Sequence, residues 1–544
     1  LSNAQTDAAS VQLARTYTKK QEWAKAIEAY KSLIEKDKYN GEFLNALAEA
    51  YYNNKNYKES IEAYKKTLET GYLVDVCSYN TACCYALMGD ADNAVKWLSI
   101  AASYKYRNLE DAIKKDKDFD KIRNHEKFKE MVTPDKYSKG ERTERWKSDI
   151  AYLKKRMEET HYNVFEVLSK EQWENEFSNL LEKVDAMDDE HIMTGIAKII
   201  ASVGDGHTIL FPSQNPDYKY SVYHIQFYKF KDGLYIKGIS PEYSQYAGMK
   251  VTKIGKMKTE DALKKIAEII PRDNELGIDW QTPRYLTYSY ALYGLDINDS
   301  KNLLKLELED GNGKKINAEI KVTQDVAPVG HSQPPPNYVF ANEKSPNELP
   351  LYLRKQYEMF SFEHLKDINF LYMQVNGIQN AKDEKLKDFY ERAFRYIDSN
   401  NVEGIIIDLR LNSGGNNQLN KHLVNNLIKR EKLTKSGKIF TIIGRNTFSA
   451  SMNLVGDLEN NTQTIFIGEP TGSKPNFVGE INFIDLPYSG FRVSASSLYW
   501  QKAFSNDKRK WVFPNIYTPL SFSDYKNNID PAMNAVYDYL KYLQ

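Results

Sequence analysis

The sequence predicts a multidomain chain. An all-α repeat array over 9–136 precedes an α/β core over 327–544, with a helical lead (145–215) and a small β-rich module (216–326) between them. Three observations carry that prediction. Residues recur at a period of 34 near the start, where Ala14, Ala48 and Ala82 align, as do Tyr17, Tyr51 and Tyr85. Between 223 and 322, short alternating apolar runs are separated by turn residues. From 404 onward, apolar runs rich in β-branched residues end in short polar or glycine-bearing loops, three times over.

Composition narrows the function before any motif does. The 544 residues suit about three or four domains. Charge balances at 74 basic against 74 acidic residues, which gives no pull toward nucleic acid. No apolar run reaches the roughly 18 residues of a membrane span. The three cysteines, Cys77, Cys83 and Cys84, share one helical stretch and form no disulfide framework. Ser2-Asn3-Ala4 reads as a cloning scar or the tail of a cleavage region, so a removed leader is expected.

In the repeat array, Trp23, Tyr57 and Ala91 form a third column, Ala26, Ser60 and Ala94 a fourth, and Tyr30, Tyr64 and Leu98 a fifth. Small residues let paired helices approach, and large ones fill the gaps between pairs. The pattern resembles the tetratricopeptide repeat in three copies, with residues 116–132 as a cap. That resemblance implies either a concave surface for a protein partner or a rigid appendage.

A polar linker is expected at 136–145, then helices with apolar stripes at Ile150, Leu153 and Met157 and at Ile192, Ile196 and Ile199. They end at Gly204-Asp205-Gly206-His207-Thr208, which leaves His207 on a turn. Strands follow at 223–230, 234–239, 250–254, 303–308 and 315–322, the last two joined by an Asp310-Gly311-Asn312-Gly313 hairpin. Thr259 reads as the N-cap of a helix running to Ile270. Residues 247–255 resemble a segment of a PDZ module, but no carboxylate-binding glycine loop is recognisable, so packing is the expected role. Pro334-Pro335-Pro336 marks an exposed connection.

The core has the clearest pattern. Gly404 to Leu409 suits a strand buried on both faces, broken by Asn412-Ser413-Gly414-Gly415 and followed by a helix. Lys438 to Gly444 repeats the strand, with a helix opening near Ser449, and Thr464 to Gly468 repeats it again before a loop reaching Lys474. If these strands are parallel, all three loops lie at one edge of the sheet.

A serine hydroxyl needs a base and oxyanion donors to act as a nucleophile. Ser449 at a helix start offers the Ala450 amide, and Gly414 or Gly415 offers a second donor where the backbone must approach closely. Serine is equally a common N-cap, and Gly-Gly a common tight turn. Taken singly, those plain readings are the commoner ones.

Four ordered blocks change that balance: Gly206-His207-Thr208; Asp408-Leu409-Arg410 with Asn412-Ser413-Gly414-Gly415; Thr447-Phe448-Ser449-Ala450-Ser451; and Gly468-Glu469-Pro470-Thr471-Gly472. Together they resemble the S41 serine peptidases, the carboxyl-terminal processing proteases and the tricorn core, over about 145–540. The resemblance implies a ClpP/crotonase-like core, a polypeptide substrate, Ser449 as nucleophile, no cofactor and an extracytoplasmic (periplasmic or envelope) location. Processing proteases use a lysine as base, which matches Lys474; tricorn-like members use a histidine, which matches His207. Met452 and Val478 stand where processing proteases carry an acid and a glutamine. Gly472, Ser473, Pro475 and Asn476 read as an exposed turn, which favours His207 over Lys474. No orienting acid is named by the sequence, and the eight histidines are too scattered for a metal site. The alternative is a peptidase-fold binding protein that has lost hydrolysis.

Overall fold

The computed structural model describes residues 2–104, 106, 109–132, 140–211, 221–323, 337–342 and 348–542. The Pro334-Pro335-Pro336 stretch lies outside them. The chain divides into two compact units: 1–163 with 481–489, and 164–480 with 490–544.

The first unit is a stack of antiparallel helices, Ser2–Lys19, Trp23–Lys36, Gly41–Asn53, Tyr57–Glu69, Val74–Leu87 and Ala91–Ser103. The repeat columns explain its core. Ala14, Ala48, Ala82, Ala26, Ser60 and Ala94 are fully buried, and Tyr30, Tyr64 and Leu98 fill the spaces between them. Tyr17, Tyr51 and Tyr85 pack against the same core from its rim. Phe119, Ile122 and Phe128 close the stack within a second cluster.

Of the linker expected at 136–145, residues 136–139 lie outside the described residues, and its last residues are helical: a helix begins at Arg142 and runs to Thr160. It buries Trp146, Ile150, Leu153 and Met157 completely. Its buried Asp149 accepts hydrogen bonds from the Tyr488 and Ser489 amides and from Ser489 Oγ, at 2.9, 2.8 and 2.6 Å. That carboxylate fixes the 487–489 turn, whose Tyr488 ring meets Trp146 edge-on.

The second unit holds a six-stranded sheet of β1 (Phe360–Leu365), β2 (Phe370–Val375), β3 (Gly404–Asp408), β4 (Ile439–Ile443), β5 (Ile465–Gly468) and β6 (Ile516–Tyr517), in that order. β1 is antiparallel to β2 and the other pairs are parallel. Four helices cover it: α1 (Leu386–Ser399), α2 (Asn420–Ile428), α3 (Ala450–Asn461) and α4 (Pro531–Tyr542). Alternation along the strands sorts the two faces. Leu371, Met373, Ile405, Ile407, Ile439 and Ile443 join Phe389, Leu423 and Leu454 of α1 to α3. Phe370, Tyr372, Ile406, Phe440 and Ile442 join Met533 and Val536 of α4. Every residue of β3 is buried, as its apolar composition requires.

An antiparallel sheet over 222–323 precedes this core. Its hairpin is present, with Glu309 opposite Lys315 and the Asp310 carboxylate accepting from the Asn312 and Lys314 amides. Thr259 is not an N-cap. It is the first residue inside the helix, and its hydroxyl donates to the Val251 carbonyl instead.

Candidate active site

Because β3, β4 and β5 are parallel, the loops that leave their carboxyl ends converge. Asn412 ties them together. Its Nδ2 donates to the Val375 carbonyl, its Oδ1 accepts from the Gly414 amide at 2.9 Å, and its carbonyl accepts from the Phe448 amide. Thr447 Oγ1 donates to the Leu409 carbonyl, so the loop after β4 is anchored to the loop after β3. Below them, Asp408 accepts from Tyr372 Oη and from Arg410, and Arg410 reaches on to Asp530 at 2.9 Å.

Ser449 occupies the N-cap position of α3 but does not cap it. Its side chain makes no capping bond, and its backbone sits at φ 55°, ψ −126°, a region costly for any residue with a Cβ. Asn420 Nδ2 holds the Ala450 carbonyl and the Asn453 amide holds the Ser449 carbonyl, which keeps the strained turn in place. Gly414 abuts it. A Cβ there would stand 2.6 Å from Ser449 Cβ and 2.8 Å from the Ala450 nitrogen, at φ 111°.

The two glycines are not equivalent donors. The Gly414 amide is taken by Asn412 and its carbonyl by the Ile378 amide. Among the described residues, the Gly415 and Ala450 amides have no acceptor. The Ala450 N–H opens α3, where the helix dipole favours negative charge, and the Gly415 N–H follows the glycine that abuts Ser449.

His207 lies beside the same turn. Its ring stacks on Phe448, with centroids 4.3 Å apart, and on Phe477 at 5.5 Å. The residue is part-buried, but both ring nitrogens are shielded from solvent and neither is hydrogen-bonded. Burial holds the imidazole below its ordinary pKa, opposed by the charges of Asp273, Asp205 and Glu480 and by the nearby Val478 carbonyl. Asp205 does not bond the ring. Its Oδ1 accepts from the His207 and Thr208 amides and from Ser496 Oγ, all at 2.8 Å, and so shapes the turn.

The loop carrying Lys474 differs from the exposed turn expected. Thr471, Gly472, Ser473, Pro475 and Asn476 are all buried, and only Lys474 is half-exposed. The loop is pulled inward because Thr471 pairs with Val512 through both backbone and hydroxyl. Among the described residues, the Lys474 ammonium has no hydrogen bond or ion pair, and neither it nor His207 is bonded to Ser449 Oγ. Met452 lies in the α3 core, and Val478 is buried beside His207.

Two acids near His207 escape sequence reasoning. Asp273 comes from the preceding module and is only 7% exposed, with burial holding its carboxyl above the usual range. Glu480 stands on the strand Asn476–Asp485 at φ 57°, a conformation uncommon for glutamate. Asp273 lies far from the four motif blocks in sequence, and Glu480, shortly after the last of them, belongs to none.

A tetratricopeptide repeat model matches residues 8–38. No curated protein sequence matches the chain. Among solved structures, mature CPAF in complex with lactacystin is similar at TM-score 0.52 and 13% identity, covering 74% of this chain and 98% of that one. Mature CPAF alone gives 0.51 and 13%, covering 73% and 97%. The photosystem II D1 C-terminal processing protease gives 0.35 and 11%, covering 69% and 93%, too distant to carry weight. The chain therefore joins a tetratricopeptide repeat array to an α/β region with the fold of mature CPAF.

Proposed function

We propose that this protein is a serine peptidase of the S41 type, hydrolysing polypeptide with Ser449 as nucleophile and His207 as base. One observation carries the reading. Ser449 holds a strained backbone at a helix start with its hydroxyl unspent on capping, next to two unoccupied amides. An ordinary N-cap has neither feature.

His207 takes the proton from Ser449 Oγ as that oxygen bonds to the scissile carbonyl carbon. The displaced electron pair rests on the carbonyl oxygen, held by the Ala450 and Gly415 amides. Collapse breaks the C–N bond, His207 gives its proton to the leaving amine, and water then hydrolyses the acyl-enzyme by the same route. Each amide donor is worth about 3 to 4 kcal/mol in the transition state. The contact between His207 and Ser449 is made only with substrate bound, since catalytic hydrogen bonds tighten in the complex. The repeat array recruits a protein partner or the substrate, and the enzyme acts outside the cytoplasm, a location that the motif resemblance supports.

The second reading, a peptidase-fold binding protein without turnover, is favoured by the missing bond between Ser449 and either base candidate. A fluorophosphonate probe with peptide mapping separates the two. Label is expected on Ser449 of the full chain and absent from Ser449→Ala; a folded chain that takes no label rejects the peptidase reading.

A further inference from the structure

The segment between the helices Thr259–Ile266 and Glu275–Tyr285 reaches into the site from the antiparallel module. Asp273 and Asn274 at its centre are buried, and both are spent on the catalytic loops. Asp273 Oδ1 accepts from the Gly206 amide at 2.8 Å, next to His207, while Oδ2 accepts from Ser473 Oγ on the loop after β5. Asn274 Nδ2 donates to the carbonyls of Thr471 and Lys510, at 3.1 and 2.7 Å, and its Oδ1 caps the following helix through Gly277. Gly206 leaves the necessary room: a Cβ there would meet the Phe448 ring at 2.7 Å and Asp273 Oδ1 at 3.4 Å.

We propose that Asp273 is the positioning carboxylate of the site, supplied by the module to hold the His207 loop against the Phe448–Ser449 turn and to stabilise the imidazolium formed during proton transfer. The inference rests on the peptidase reading for its catalytic meaning. A carboxylate that joins the histidine loop to the β5 loop fixes where the imidazole stands. It also places negative charge beside the ring in a dry site, where charge acts most strongly. Asp205 stands on His207's own loop and Glu480 on the strand 476–485, and both also face the ring electrostatically. Asp205 Oδ1 is committed to the His207 and Thr208 amides of its own turn and to Ser496 Oγ on the strand Arg492–Gln501. Asp273 is the acid that joins the His207 loop to the loop after β5. The module is thereby part of the site rather than a packing appendage.

The test uses the full chain and two readouts. The first is the pH dependence of the fluorophosphonate labelling rate at Ser449. The second is the titration of the His207 ring by NMR with isotope-labelled histidine, assigned by its loss in His207→Gln. Asp273→Asn keeps an acceptor for Gly206 but removes the charge. It is expected to slow labelling at least about tenfold and to move both the acid limb and the ring titration to lower pH by about one unit. Ser473→Ala, which keeps the charge, is expected to leave the titration in place. An unmoved titration in Asp273→Asn overturns the proposal, as does a shift produced by Glu480→Gln instead. The NMR readout stands even if the wild-type chain takes no label, which would reject the peptidase reading separately.

Discussion

Gly414 shows how little freedom the Phe448–Ser449 turn has. Alanine there needs space already held by Ser449 Cβ and the Ala450 nitrogen, and a φ that side chains avoid. Gly414→Ala is expected to lower labelling of Ser449 at least about a hundredfold, the scale of losing one oxyanion donor. Labelling at the wild-type rate would mean the turn is not the reacting centre. His207 and Lys474 separate at the same scale. His207→Ala is expected to lose about two to four orders of magnitude, and Lys474→Ala far less. If Lys474→Arg proved as damaging as loss of the histidine, lysine would be the base. Burial pushes the His207 pKa below 6.5, so the neutral, base-competent ring persists to lower pH than a free imidazole would allow. The acid limb of activity is therefore expected below pH 6.5, measured by labelling rate. The sign for stability follows. The unfolded chain takes up the proton first, so His207 costs stability as pH falls through 6.5 toward its folded value.

Among elements, the hairpin tip at 487–489 depends on one side chain of the helix Arg142–Thr160. Asp149→Ala would strip the acceptor from two buried amides and a hydroxyl. Each buried donor left unpaired costs about 1 to 3 kcal/mol, so a loss of several kcal/mol is expected in denaturant unfolding. Asp149→Asn, which keeps one acceptor oxygen, is expected to lose less. Equal midpoints for Asp149→Ala and wild type would show that the turn holds without it. The sheet is sturdier. β3 is buried along its whole length, and its residues divide between two clusters, so a single truncation there removes contacts from one face only.

Over the whole molecule, the repeat columns account for their own core, and the array is expected to be dispensable for folding the rest. A chain starting at residue 140 keeps the Asp149 acceptor and is expected to unfold cooperatively. One starting at residue 164 loses it and is expected to unfold at lower denaturant. The opposite order would show that the break between units is misplaced.

What repeats and what alternates is written in the order of the residues. Period 34 gave the small and large columns of the helical stack, and three β-branched runs ending at loops gave the parallel strands and the edge that carries Ser449, Gly414 and Gly415. Those signals are local, because burial of one face imposes a fixed period on neighbouring residues. Tertiary structure alone decided which acids stand near His207, that Gly414 spends its amide on Asn412, and that the Lys474 loop turns inward. Each of these depends on partners far away along the chain, and hydrogen bonds and fields between distant residues leave no period to read. Asp273 is the plainest case. Nothing around Pro271-Arg272-Asp273-Asn274 marks a partner, and only the packing of the module's segment against the His207 and Ser473 loops gives that carboxylate something to hold.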